Sequence, residues 1–225
     1  NTGIIGASHT YWINNSTYTK LVVAATTKYN QNADDSISVD DRTRFPFFRR
    51  NFISNNIVMN AYIDKKLNAR HNFQTGVNVK LLNQNLVDSV WVDYLQDYLI
   101  LTDVDGSTSL LQSYFQWQYK PTNSIVINSG VYAHLLTLKN QHSIEPRFGV
   151  RWSFSGNQTL SFGYGLHSQM APLQWYFSRA LTENQVYISP NKDLDFIKSH
   201  HFVLGYDWNI TQNLRLKVET YYQNI

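Results

Sequence analysis

The feature that most constrains this chain is the alternation between Ile144 and Ile225. Four runs there alternate apolar and polar residues over roughly ten positions each, about the length of a strand crossing a bilayer at a tilt. In the first run Ile144, Pro146, Phe148, Val150, Trp152 and Phe154 share one face, and Glu145, Arg147, Gly149, Arg151 and Ser153 share the other. Side chains in a strand repeat every two residues, so each run is a strand with one apolar and one polar face. Soluble strands end after about five or six residues. The length therefore predicts a membrane barrel.

The same pattern extends toward the N-terminus. Thr2–Ile13 alternates weakly, Thr17–Lys28 is β-branched and alanine-rich, and Asn56–Asp64 places Ile57, Met59, Ala61 and Ile63 on one face. Ala69–Leu81, Ser107–Lys120 and Ile125–Leu136 follow, giving about ten strands paired as neighbours in an antiparallel, up-and-down barrel. Short polar turns (65–68, 121–124, 155–158, 211–213) alternate with longer inserts (29–55, 83–106, 137–143, 169–198). In outer-membrane barrels the short turns are periplasmic and the long loops extracellular. The stretch Tyr29–Asn55, with its acidic pairs and its Arg/Phe/Pro knot, is expected to be a structured surface loop.

Composition supports a wet-inside, greasy-outside wall. Charged residues are only 16% and aromatics reach 15%, yet the longest purely aliphatic run is Leu21–Ala25, too short for a membrane-spanning helix. Cysteine is absent, which excludes disulfides, thiolate metal sites and Cys nucleophiles; a net charge of +3 carries no nucleic-acid signal. On the apolar faces Trp117 and Tyr119, Trp152 and Phe154, and Tyr206 and Trp208 all precede short turns. Trp117, Tyr119, Trp152 and Trp208 are therefore assigned to an interfacial aromatic girdle.

Candidate functional residues lie elsewhere. Arg147, Arg151, Arg215 and Lys217, with Glu145 and Glu219, fall on polar faces and are expected to line the lumen, pairing across strands or supporting whatever fills it. Trp91 and Tyr94 in one long insert, and Trp175 and Tyr176 in another, are candidate ligand-loop aromatics, for which packing of the loop onto the barrel mouth is the competing and favoured role. Asp103, Asp105 and Gly106 open like a calcium loop but lack its remaining ligands, and Asp193 and Asp195 share the spacing; solvated loop carboxylates are the default, and no cofactor is expected. His200 and His201 are adjacent on a strand and point to opposite faces, so they do not share a metal ion. His134, His167 and Ser168 lack a Gly-x-Ser-x-Gly elbow, so no catalytic residue is assigned.

Glu145–Trp152, Gly163–Gln169, Lys198–Trp208 and the ending Tyr221-Tyr222-Gln223-Asn224 resemble the C-terminal barrel half of TonB-dependent outer-membrane receptors of the large, carboxypeptidase-regulatory-like-domain type. Gly3–Trp12 fits more loosely. The resemblance implies a bacterial outer-membrane location and a barrel of about 22 strands, of which this chain would be a fragment within one barrel domain. It also implies a plug and a TonB box outside these residues, and non-enzymatic, TonB-driven uptake of a siderophore, glycan, peptide or similar nutrient. The partners implied are outer-membrane lipid, TonB acting through the plug, the nutrient, and a surface lipoprotein. Two other architectures fit the strand pattern: a self-contained ten-stranded barrel acting as a surface protease or adhesin, and a soluble carbohydrate-binding β-sandwich.

Overall fold

The computed structural model describes residues 1–181 and 186–225. Its strands are β1 (Thr2–Asn14), β2 (Thr17–Ile37), β3 (Arg44–Lys66), β4 (His71–Val92), β5 (Asp97–Tyr119), β6 (Ile125–Leu136), β7 (Gln141–Ser155) and β8 (Gln158–Gln169). After these come a short helix α1 (Leu173–Phe177), two minimal strands β9 (Ala180–Leu181) and β10 (Tyr187–Ile188), then β11 (Ile197–Thr211) and β12 (Leu214–Asn224). Ten strands form one sheet in the order β1-β2-β3-β4-β5-β6-β7-β8-β11-β12, every pair antiparallel. Among the described residues β9 and β10 pair only with each other.

This is the meander that the alternation predicts, but it is open: among the described residues β1 and β12 are not neighbours. A self-contained ten-stranded barrel would pair them, and a sandwich would cover the apolar face with a second sheet; neither arrangement is present among the described residues. Among the described residues no helix is long and apolar enough to cross a membrane.

Register divides the sheet into an inner face, over which α1 folds, and an outer face. On the outer face Lys65, Phe73, Trp117, Ser129 and Phe148 are aligned across β3 to β7 beside the short turns. Higher up, Thr27, Asn55, Asn83 and Ser107 are aligned across β2 to β5. Between these rows the outward residues of β4 are Thr75, Val77, Val79 and Leu81, and the exposed outer face is largely apolar. From Phe73 to Leu81 is about nine residues, which matches a tilted membrane-spanning strand. Bare apolar side chains in a continuous band, with polar residues above, are the arrangement lipid requires.

Two expected loops are mostly strand. Tyr29–Asn55 contains the upper halves of β2 and β3, closed by residues 38–43, and Asn83–Gly106 contains the upper halves of β4 and β5, closed by residues 93–96. Above the lipid band the outer face meets water, so apolar alternation lapses although the ladder continues; on β4 and β5 the inner face stays packed, with Leu86 and Val104 buried. The third insert reduces to a turn at residues 137–140, while the fourth, 169–198, is a true excursion carrying α1, β9 and β10; its residues 182–185 lie outside the described residues.

Candidate functional site

The inner face at mid-height is built by register. Tyr62, Gly76, Tyr114, Tyr132 and Glu145 are successive cross-strand partners from β3 to β7. Gly76 is required there: a Cβ would stand 2.7 Å from Tyr62 Cβ and 2.9 Å from Tyr114 Cε1. The missing side chain lets the two tyrosines close over β4. Tyr114 and Tyr132 stack with centroids 5.4 Å apart, and the Arg147 guanidinium carbon lies 3.8 Å from the Tyr132 ring centroid. Beside this row Asp64, Asn72, Gln74, Gln116, Gln118 and Asn128 line a polar recess of about 420 Å³. The wall offers amides, phenols, one carboxylate and one guanidinium, a surface suited to hydrogen-bonding a polar segment.

Arg147, Arg151, Arg215 and Lys217 share this face. Arg215 on β12 donates to Asp207 on β11 through Nε (2.7 Å) and Nη2, a bidentate cross-strand pair. Arg147 pairs with Glu145 on its own strand at 2.7 Å, and Lys217 with Glu219 at 2.8 Å. Arg151 lies beside Asp207, Arg215 and Lys217 around a smaller recess and has no ion pair among the described residues. Cross-strand pairing thus holds for Arg215; the Arg147 and Lys217 pairs run along one strand.

Where the tyrosine row ends on β7, Glu145 is fully buried. Its carboxylate takes the Arg147 Nη2 contact, the Ser168 backbone N–H at 2.8 Å and the Ser168 hydroxyl, and His134 Nδ1 lies 3.4 Å away. A buried carboxylate is tolerated only when its lone pairs are so occupied. Ser168, His134 and Glu145 therefore meet, which their spacing in the chain did not suggest, but the geometry is not catalytic. A triad places serine and acid on opposite imidazole nitrogens. Here both approach Nδ1, Nε2 faces the Gln112 amide at 3.4 Å, and the serine proton goes directly to the carboxylate.

This knot anchors the base of the excursion after β8. Leu110, Leu136, Ala171, Tyr176 and Phe196 form a buried apolar cluster, with Phe177 and Leu194 packed against it. Tyr176 is 1% exposed, and its hydroxyl accepts the Ala171 N–H at 3.1 Å. It packs the excursion onto the mouth and offers no surface to a ligand, as the competing role of that aromatic cluster requires. Trp175 in the same helix is exposed. Trp91 sits near the top of β4, edge-on to Tyr98, donating from Nε1 to Asp93, and Tyr94 in the adjoining turn is 85% exposed. These four aromatics are not assembled into one site.

The residues expected to form a girdle, Trp117, Tyr119, Trp152 and Trp208, lie on the outer face beside the short turns. Trp117 stacks on His71 and on Tyr119, and its Nε1–H donates to His71 Nδ1 at 3.1 Å. His71 and Phe73 belong to the same cluster and went unassigned in the sequence; their alignment opposite Tyr119 and Trp117 was the available signal. Trp152 is exposed next to Phe154, and Trp208 aligns between Gln158 and Leu216. His200 lies with Tyr164 on the outer face and His201 with His167 on the inner one, as adjacent strand residues must. Asp103, Asp105 and Gly106 lie within β5 and not in a loop; Asp193 pairs with Lys139 at 3.2 Å. Among the described residues no group of three or more His, Asp or Glu side chains converges as a metal site.

No family model and no curated protein matches the chain by sequence. Solved structures do match its fold. FpvA of P. aeruginosa, bound to heterologous pyoverdines, superposes with a TM-score of 0.72 at 12% identity, over 99% of this chain and 32% of its own. The ferric yersiniabactin uptake receptor FyuA from Yersinia pestis gives 0.66 at 14%, over 99% and 35%. The RagAB peptide transporter gives 0.62 at 10%, over 99% and 30%. The chain thus spans about a third of the length of these structures, and its fold is that of a section of their barrel wall.

Proposed function

We propose that this chain forms part of the barrel wall of a TonB-dependent receptor that imports a nutrient across a bacterial outer membrane. The observation that carries the proposal is the ten-stranded open sheet with a lipid-width apolar band outside and a polar, tyrosine-lined wall inside, which superposes end to end on sections of uptake receptors. An open sheet with a bare apolar face is unstable in water, and continuation of the sheet into a closed barrel removes both edges. The inner wall then receives a plug, seated on the amides around Gln74 and Gln116 and on Arg147, and TonB draws on that plug to release cargo. No catalytic group is involved.

The matched receptors carry iron-loaded pyoverdines, ferric yersiniabactin and peptides, so the cargo class does not follow from the wall. The extended hairpins β2–β3 and β4–β5 and the α1 excursion are the parts placed to meet it, with a surface lipoprotein as a candidate partner. The test is growth of a strain lacking the whole protein on an array of iron-siderophore, peptide and glycan sources, repeated with TonB deleted. The expected result is loss of growth on one source, reproduced by TonB deletion. Unchanged growth on every source, or uptake indifferent to TonB, would sink the proposal.

A further inference from the structure

We propose that the upper edge of β5, at Asp103, Asp105 and Ser107, is a strand-addition site for an extended basic segment of a partner protein. Its cell-surface placement rests on the function proposed above.

The edge is open. β6 leaves β5 at the Leu110–Leu136 pair, and the last backbone contact is at Ser109, whose C=O accepts the Thr137 N–H (2.9 Å) and whose N–H donates to Thr137 Oγ1 (3.1 Å). Both backbone groups of a strand residue point to one edge, and successive residues alternate. Ser107, Asp105 and Asp103 therefore present their N–H and C=O groups on the side that Ser109 uses, and among the described residues nothing pairs with them. An unpaired row of this kind is a ready template for another strand.

The edge is also rigid. Val104 is 1% exposed, a Cβ at Gly106 would stand 2.5 Å from the Phe177 ring, and Gln84 donates to Gln174 of α1 at 3.2 Å. With its inner face packed and its other edge bonded to β4, this segment loses little freedom when it receives a strand.

Charge selects the occupant. Asp103 and Asp105 are exposed, lie on the outer face two residues apart, and form no ion pair among the described residues. A second copy would bring the same carboxylates together, which opposes self-pairing. Lysine or arginine at alternate positions of an incoming strand stands opposite them. Above them Ile100 and Leu101, where the ladder shifts register, are exposed and offer an apolar contact at the end of the same edge. The carboxylates face away from α1 and the inner wall, so cargo moving toward the lumen does not run along them; a protein lying against the outside does.

The experiment uses the whole receptor in detergent and a labelled synthetic peptide alternating Lys and Thr, followed by fluorescence anisotropy. Saturable binding is expected, weakened about tenfold by Asp103→Asn with Asp105→Asn, and lost when alternate peptide nitrogens are methylated at unchanged charge. Equal binding of the methylated peptide would reduce the edge to a charge patch. No saturable binding would leave the aspartates as guards against edge pairing. Either result overturns the proposal. Labelling of Asp105→Cys by a membrane-impermeant maleimide on intact cells is a separate reading: failure there removes the cell-surface placement, whatever the peptide does.

Discussion

Val77→Arg gives the sharpest consequence of the band on the outer face. Val77 points outward, is 50% exposed in the isolated sheet, and aligns with Ala61 and Ser113. With a rise of about 3.4 Å per residue and a tilt of about 45°, each residue climbs roughly 2.4 Å along the membrane normal. Val77, four residues beyond Phe73, then lies about 10 Å above the aromatic row, close to the middle of an apolar belt about 25 Å tall. Val87, on the same strand and face, lies about 34 Å above that row and so outside the belt. An arginine near the midplane costs about 2–4 kcal/mol, and one beyond the interface about 0–1 kcal/mol. Asp103 opposite Val87 reduces the second figure further. Guanidinium titration in phospholipid vesicles, followed by tryptophan fluorescence, measures both. Equal losses at the two positions would refute the placement of the band, and a larger loss at Val87 would invert it.

Gly76→Ala should lose about 1–3 kcal/mol in the same titration, because its Cβ would stand 2.7 Å from Tyr62 Cβ and 2.8 Å from the Ala61 carbonyl oxygen, whereas Gly163→Ala, with open space around it, should not show that loss. Tyr176→Ala removes the centre of the mouth cluster at a local cost of about 3–5 kcal/mol; limited proteolysis should cut the 169–196 excursion faster while the folded barrel keeps its gel mobility. Asp41, in the turn closing β2–β3, has its pKa lowered to about 2 by the Thr43 hydroxyl, with further help from Ser38 and the Thr43 N–H. A depressed folded-state pKa means that the turn is supported above about pH 4 and loses support as pH falls toward 2, so protease protection of residues 38–43 should decline over that window and be flat in Asp41→Asn.

The spanning parts of the strands were legible because lipid imposes the period-two code: Ile57, Met59, Ala61 and Ile63, or Phe148, Val150 and Trp152, have one face for lipid and one for water. The upper halves of β2 to β5 were not legible, since at Gln31, Asn51, Asn83 and Asp105 the outer face is wet as well, and the burial of Leu86 and Val104 on the other face depends on packing against a distant segment. The Glu145–Ser168–His134 knot and the seat of Phe177 over Gly106 depend on the exact register of residues far apart in sequence. The aromatic excursion could be recognised as aromatic, but which ring is buried was decided by packing: Tyr176 inside, Trp175 outside.

Single-cysteine accessibility in intact cells tests the central claim most directly, because the chain has no cysteine of its own. Cysteine replaces Val39 in the β2–β3 turn, Val79 in the outer-face band, or Asn123 in the β5–β6 turn. A membrane-impermeant maleimide should label the first without treatment, the third only after the outer membrane is permeabilised, and the second under neither condition. Labelling at position 79, or at 123 in untreated cells, would contradict a sheet that spans the outer membrane with its short turns inside.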